Sequence, residues 1–348
     1  MGLAVIDVKS EWVSLEQYYQ FVDELPAREV SIYHRSQWLD VVATSFDAKV
    51  RAIHTVDKDG SSLAITPVMI KSKAGLQLLG SPLSGTYTEF AGPLFVNELS
   101  DVVVAAVMES LHELVSYGSH YIEWGARGSA ERQSSWGRSL QRWNYQYRAS
   151  PSIQLDLSQG EDVVWASFKG RARNMIRKAE KSGVIAYTVA PTKEWVDEYY
   201  EMLRSTFDRQ GQVVPHPLSF YQGLIKLAKL DEALFVAAKI DSKMIAGGIF
   251  LKDRKRMVYL SGTASAEGMK LAGTSILQWH AMCEGIKSGV IDYDMGGLGI
   301  PSIDKFKRSF GGRETVHHNW AYRSRLFRLI EPAARWALSK GFASFGGK

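Results

Sequence analysis

Ser288-Gly289-Val290-Ile291-Asp292-Tyr293-Asp294-Met295-Gly296-Gly297 follows an apolar-periodic stretch from Leu271 to Lys287, and its reading decides the fold. Gly289 stops a helix. Ile291 to Met295 alternates apolar and acidic residues as a strand does, and the strand closes on Gly296-Gly297. Upstream, Met257 to Leu260 reads as a strand. Leu234 to Ile240 and Met244 to Leu251 read as two more, paired across the turn Asp241-Ser242-Lys243. Trp195, Tyr199, Leu203 and Phe207 share one helical face. The first half repeats this order. Leu15 to Leu25 and Ser36 to Phe46 are helical, the latter with Ser36 as N-cap. Val50 to Val56 and Leu63 to Ile70 flank the turn Asp57-Lys58-Asp59-Gly60. Leu76 to Leu79 precedes a long helix from Leu99 to Tyr117, which Gly118 ends, and Tyr121 to Trp124 closes on Gly125.

The repeat places the chain in the α/β (α+β) class, as two similar units in tandem, each a mixed sheet flanked by helices. Two unrelated α/β domains sharing an element order are the alternative. The division near Ala149-Ser150-Pro151 gives a first domain over 1–149 and a second over 150–322. A C-terminal helix over 323–348 packs back and ends loosely from Gly341 to Lys348. A length of 348 residues suits two domains, and 45% apolar residues suffice for two cores.

Lys and Arg number 42 against 37 Asp and Glu, a net charge of +5 that permits a polyanionic partner without demanding one. Cys283 is the single cysteine, so neither a disulfide framework nor a zinc motif is expected. Met1 to Trp12 carries Asp7, Lys9 and Glu11 and has no signal-peptide core. No apolar run reaches the roughly 18 residues of a membrane span. The expected compartment is the cytoplasm.

Five segments hold candidate chemistry. Glu161 to Ser182 reads as one amphipathic helix ended by Gly183, with Val164, Phe168, Ala172, Met175, Ile176 and Ala179 on one face. Beside that face Lys169, Arg173, Arg177 and Lys181 make an i, i+4 stripe, either a phosphate or RNA cradle or a solvated face. Asp292 and Asp294 point to one face of their strand, as an acid/base pair or as anchors for the glycine loop that follows. Ser302 to Gly311 forms a short helix capped by Ser302, with Ile303, Phe306 and Phe310 inward and Lys307 off that face. Lys307 stands where a cation meets a developing oxyanion, or is a surface lysine whose loss costs the fold little. His216, between Pro215 and Pro217, is structural or a binding residue. His317 and His318 are adjacent on a strand and face opposite ways, so no metal site is expected there. The tail alternates Leu326, Phe327, Ile330, Ala334, Ala337 and Leu338 with basic residues, and either packs on a domain or lies on an anionic membrane.

Three of these segments together resemble the FemAB/FemX family of aminoacyltransferases. They are Phe168-Lys169-Gly170-Arg171-Ala172-Arg173-Asn174-Met175-Ile176-Arg177-Lys178-Ala179-Glu180-Lys181-Ser182-Gly183, the strand and loop Tyr293-Asp294-Met295-Gly296-Gly297, and Phe306-Lys307-Arg308-Ser309-Phe310. The aromatic stretch around Gln37-Trp38 is also similar. The resemblance covers most of 150–320 and, more weakly, the first half. It implies two fused GNAT-like domains, a supporting one on the acceptor side and a catalytic one following.

The resemblance further implies transfer of an aminoacyl group from aminoacyl-tRNA to an amine of a phosphorylated cell-envelope or peptidoglycan-type precursor, with no permanent cofactor, metal or DNA. Lys307 would be catalytic. Trp38, His216, Tyr221, Tyr259, Asp294, Gly296 and Gly297 would bind substrate. Lys169, Arg173, Arg177 and Lys181 would hold RNA or phosphate. Where the family uses Arg and Tyr for the precursor, this chain reads His216-Pro217-Leu218-Ser219-Phe220-Tyr221, and its central strand ends Tyr259-Leu260-Ser261-Gly262. Proteins of this size also resemble enzymes of exopolysaccharide synthesis, so an acyl-CoA-dependent N-acyltransferase acting on an amino sugar or peptide is the alternative. Gly268 to Thr274, opening the long helix, is the candidate CoA turn. A non-catalytic RNA- or phospholipid-binding protein is the reading from a different class. Residues 323–348 would touch the inner face of the membrane.

Overall fold

The computed structural model describes residues 7–26, 30–127 and 130–339. The chain forms two units, Met1–Ser150 with Val316–Lys348 and Pro151–Thr315. Residues 316–322, assigned from sequence to the second domain, group with the first. The reason is local: from His317 to Arg323 the strand Arg313–Arg323 pairs residue by residue with Tyr121–Arg127.

In the first unit the strands run in the order Val8–Val13, Lys49–Asp57, Ser62–Lys73, Leu76–Ser81, Tyr121–Arg127, Arg313–Arg323, and then the first residues of Gln146–Asp156. Leu76–Ser81 and Tyr121–Arg127 pair in parallel, while the other registered neighbours are antiparallel. The helix Asp101–Ser116 lies in the crossover between that parallel pair. Its Val104, Val107, Met108, Leu111 and Val115 recur at helical spacing and join Ile122, Trp124, Trp136 and Trp320 in one core. Ser36 is the first residue of its helix and not the cap, a position held by Arg35 without a side-chain bond. His317 and His318 are both buried on their strand. His318 bonds the Tyr147 hydroxyl at 2.9 Å, while His317 stacks on Phe90.

The helix Arg325–Ser339 follows. Phe327 packs on Tyr121 with ring centroids 5.3 Å apart, and Arg323 bonds Glu331 at 2.9 Å. Leu326 and Leu329 stay exposed. The expected loose end, Gly341 to Lys348, lies outside the described residues. Among the described residues no helix is long and apolar enough to cross a membrane.

In the second unit the order is Gln146–Asp156 from Pro151 onward, Asp292–Gly297, Arg256–Ala264, Lys243–Lys252, Ala233–Ile240, Ile185–Val189. Arg256–Ala264 and Asp292–Gly297 pair in parallel across the helix Gly273–Lys287, and the other pairs are antiparallel. The two units thus share one plan: a hairpin, a third strand, a long helix, and a strand returning parallel beside the third. Glu161 to Ser182 is two helices, Glu161–Ser167 and Gly170–Lys181. Phe168 and Lys169 are extended between them. Phe168 is buried against Phe310, and the Lys169 N–H donates to the Ser309 carbonyl at 2.9 Å. A tertiary bond replaces the next helical one, so the helix restarts.

Candidate active site

The returning strand of the second unit shows why Asp294 is there. Tyr293 and Met295 point into the apolar core, so period two turns Asp294 the other way. There it meets the neighbouring strand, whose Ser152 and Gln154 share a face for the same reason. Asp294 is buried; it accepts from the Ser152 hydroxyl and, at 3.3 Å, from the Gln154 amide. Its Oδ1 also accepts the Gly296 N–H at 2.8 Å. The carboxylate therefore anchors the loop that follows, one of its two expected roles. Asp292 lies 3.8 Å from Arg256.

That anchor bends the backbone. Register between Asp292–Gly297 and Gln146–Asp156 shifts between Asp294 and Gly297, a bulge with one residue more on the returning strand. Gly296 has φ +75°, a left-handed conformation that costs glycine little. The strand pairs with Arg256–Ala264 only from Asp292 to Asp294, opposite Arg256 to Val258. A second irregularity falls alongside, where Lys243–Lys252 and Arg256–Ala264 slip between Ile249 and Phe250.

Lys307 closes the loop from the other side. It ends the helix Pro301–Lys307 and is 7% exposed, so the expected surface lysine is in fact buried. A buried ammonium must be hydrogen-bonded, and Lys307 Nζ donates to the Gly297 carbonyl at 2.6 Å. Asp304, one turn earlier, accepts the N–H groups of Gly299 at 3.0 Å and Ile300 at 3.3 Å. Ser302, expected to cap this helix, lies inside it; the N-cap is Ile300, and Asp304 supplies the acceptor. Phe306 and Phe310 pack inward, while Ile303 is exposed.

Asp294, Gly296, Gly297 and Lys307 are thus brought together by direct bonds. The remaining candidates are not joined to them by any bond described. Tyr221 is fully buried beside Phe220, Tyr199 and Tyr200. His216 is buried against Phe220, and burial pulls its pKa down to about 4, so the ring is neutral near pH 7. Tyr259 stacks near Phe250, and its hydroxyl fills the space a Cβ on Gly262 would need. Trp38, in the first unit, is fully buried and donates to Thr88 at 2.9 Å. Burial pushes the Cys283 thiol up to about 12, with Glu161 adding to the effect, which disfavours the nucleophilic thiolate.

The basic stripe is taken apart. Lys169 precedes its helix rather than lying on it. Arg173 donates to the Ala166 carbonyl at 3.0 Å, and Arg177 lies 5.6 Å from the Trp165 ring centroid. Lys181 is exposed. A different set of cations lines a cavity of about 520 Å³ at the start of that helix, namely Lys169, Arg171, Lys305 and Arg308.

Residues 166–308 match the acetyltransferase (GNAT) domain family. The matched segment takes up most of the second unit. No curated protein sequence matches the chain. Among solved structures the fold is similar to the crystal structure of FemX, with a TM-score of 0.71 at 14% identity, covering 93% of this chain and all of that one. A tandem GNAT protein from the clavulanic acid biosynthesis pathway gives 0.56 at 8% identity, over 91% of this chain and 98% of that one. L-PGS from Bacillus licheniformis gives 0.52 at 12% identity, over 88% and 97%. The match to an acetyltransferase domain favours a transferase over a non-catalytic binding protein. Within the matched segment the bulge lies on the last strand, and Lys307 ends the last α-helix.

Sequence reading missed Ser152, Gln154 and Asp304, which hold the loop. Ser152 and Gln154 alternate with Ile153 and Leu155, a period-two pattern that marks two polar residues facing one way.

Proposed function

We infer that this protein joins an acyl group to an amine, taking an aminoacyl group from aminoacyl-tRNA to a phosphorylated cell-envelope precursor in the cytoplasm. The observation that carries the reading is Lys307, buried and bonded to Gly297 beside the bulge that Asp294 anchors. In such a transfer the amine nitrogen attacks the ester carbonyl carbon and forms the C–N bond. The carbonyl oxygen becomes an oxyanion, the C–O bond to the ribose breaks, and the proton lost by the amine ends on the leaving hydroxyl. The Gly297 carbonyl fixes the Lys307 ammonium in place. A fixed cation at the oxyanion lowers the barrier without reorganising during the reaction. No acyl-enzyme is required, in keeping with the thiol of Cys283 being held protonated. The likeness in fold to FemX and L-PGS supports the aminoacyl donor.

A second reading, acyl-CoA as donor to an amino sugar or peptide, is favoured by the acetyltransferase family match. Parallel incubation with labelled aminoacyl-tRNA and labelled acetyl-CoA, each on a bacterial envelope extract, separates them. Amide-bound label from the tRNA alone supports the first reading and label from acetyl-CoA alone the second. Label from neither overturns both.

A further inference from the structure

The geometry points to a phosphate-binding pocket in the second unit, distinct from the Lys307–Gly297 pair, that seats the phosphorylated tail of the acyl donor. It deepens the proposed transfer, because both donors considered carry phosphate: the pyrophosphate of an acyl-CoA or the terminal phosphodiesters of an aminoacyl-tRNA.

The cavity at the start of Gly170–Lys181 is lined by Lys169, Arg171, Lys305 and Arg308 with Asp304 and Ser309. Its charges do not cancel. Arg308 is paired, with Nε and Nη2 both 2.8 Å from Glu314. Asp304, the one carboxylate of the lining, is engaged by the N–H groups of Gly299 and Ile300. For the side chains of Lys169, Arg171 and Lys305 no ion pair or hydrogen bond occurs among the described residues. Three unneutralised cations around one cavity repel each other, and that repulsion is relieved when an anion enters.

The cavity is also built firmly. The Lys169 N–H to Ser309 carbonyl bond ties its two sides, and Phe168 packed on Phe310 backs that bond. The helix that opens there is 12 residues long, its N-cap Lys169 offers no side-chain acceptor, and nothing stands within 4 Å of a Cβ placed on Gly170. The positive end of the helix thus reinforces the cations.

Position links the pocket to the chemistry. Asp304 and Lys307 lie on one helix and hold one loop, Asp304 at Gly299 and Ile300, Lys307 at Gly297. A tail seated beside Asp304 therefore rests on the helix that ends in Lys307.

The test is binding of inorganic pyrophosphate by calorimetry at low ionic strength. It compares the native chain, a triple variant Lys169→Glu/Arg171→Glu/Lys305→Glu, and a control Lys193→Glu/Lys229→Glu/Lys255→Glu with the same charge change elsewhere in the unit. The expected result is saturable binding that weakens with salt, is lost by on the order of tenfold or more in the triple variant, and persists in the control. Thermal melting without anion checks the fold, and the triple variant should melt no lower than the native chain. No binding, or an equal loss in the control, overturns the pocket. Competition by CoA, and separately by an RNA minihelix, identifies the source of the phosphate, and failure of both to displace pyrophosphate overturns the donor role. Lys307→Ala should retain pyrophosphate binding, so failure of the proposed chemistry is read separately from failure of this site.

Discussion

Glu123 in the first unit and Asp294 in the second are the same position of the shared plan, each five residues after the glycine that ends the long helix, Gly118 or Gly289. Both carboxylates are buried and both hold a backbone N–H. Glu123 reaches outward from its strand to the Ser84 N–H at 2.9 Å and also accepts from Tyr121. Asp294 turns back on its own strand and takes the Gly296 N–H. The consequence shows two residues on. Gly125 stays in register opposite Asn319, its Cβ position blocked by Pro82 at 2.6 Å and Asn319 at 2.8 Å. Gly296 leaves the ladder in a bulge, and around Gly297 the nearest atom to a Cβ is 4.0 Å away. One carboxylate seals its strand end and the other opens it. The same plan thus gives a filled end and an open one.

The largest test of this contrast is Lys307→Ala. Its transfer activity should fall by about 10²–10³, the usual cost of one oxyanion donor. Because the lysine is buried, the variant should also lose ~1–3 kcal/mol of stability from the orphaned Gly297 carbonyl. Turnover at the native level in a folded variant would make both strand ends merely structural.

Glycine replacement should separate the two ends next. Gly125→Ala must displace Pro82 or Asn319 and should lower stability by about 1–3 kcal/mol, read by denaturant melts. Gly297→Ala should leave the melt unchanged and reduce transfer. Equal melts for the two variants would erase the distinction.

Acid should strike both units alike. Burial lowers His112 in the first unit and His216 in the second to about 4. The unfolded chain, with histidines near 6.5, binds more protons than the folded one between those values. Stability is therefore whole above about 6.5 and falls as pH drops towards 4. Melting temperature followed over that range should decline, and His112→Gln and His216→Gln should each flatten the decline. A slope untouched by both substitutions contradicts this origin.

The smallest effect concerns Cys283. With its thiol pushed up to about 12, it should react with a thiol reagent at pH 8 far more slowly than a free cysteine. Cys283→Ser should transfer at the native rate. A large loss would point to a covalent intermediate.

The fold was legible in the sequence because it is written twice. The helix–Gly–strand–Gly ending and the hairpin turns at Asp57 to Gly60 and Asp241 to Lys243 are local signals, and local chemistry determines them. Asp294 as a loop anchor was legible for the same reason, since its partner Gly296 is two residues away. What failed depends on contacts far apart in the chain. Nothing near Phe168 announces a helix break, because its cause is the Ser309 carbonyl. The burial of Lys307 follows from the Gly297 carbonyl being folded over it. Tyr221 and Trp38 looked like binding residues, yet their rings fill cores, which aromatic identity alone does not distinguish.

The first unit is discontinuous, since its strand Arg313–Arg323 arrives only after the whole second unit. That strand is an interior one, between Tyr121–Arg127 and Gln146–Asp156 in the order of the sheet. On the ribosome the first half therefore emerges with a vacant slot beside Tyr121–Arg127. The second unit, contiguous from Pro151 to Thr315, can complete itself earlier. Synthesis would thus finish the later-encoded unit first, and a message cut short before His317 would yield a complete second unit attached to an unfinished sheet with an open edge.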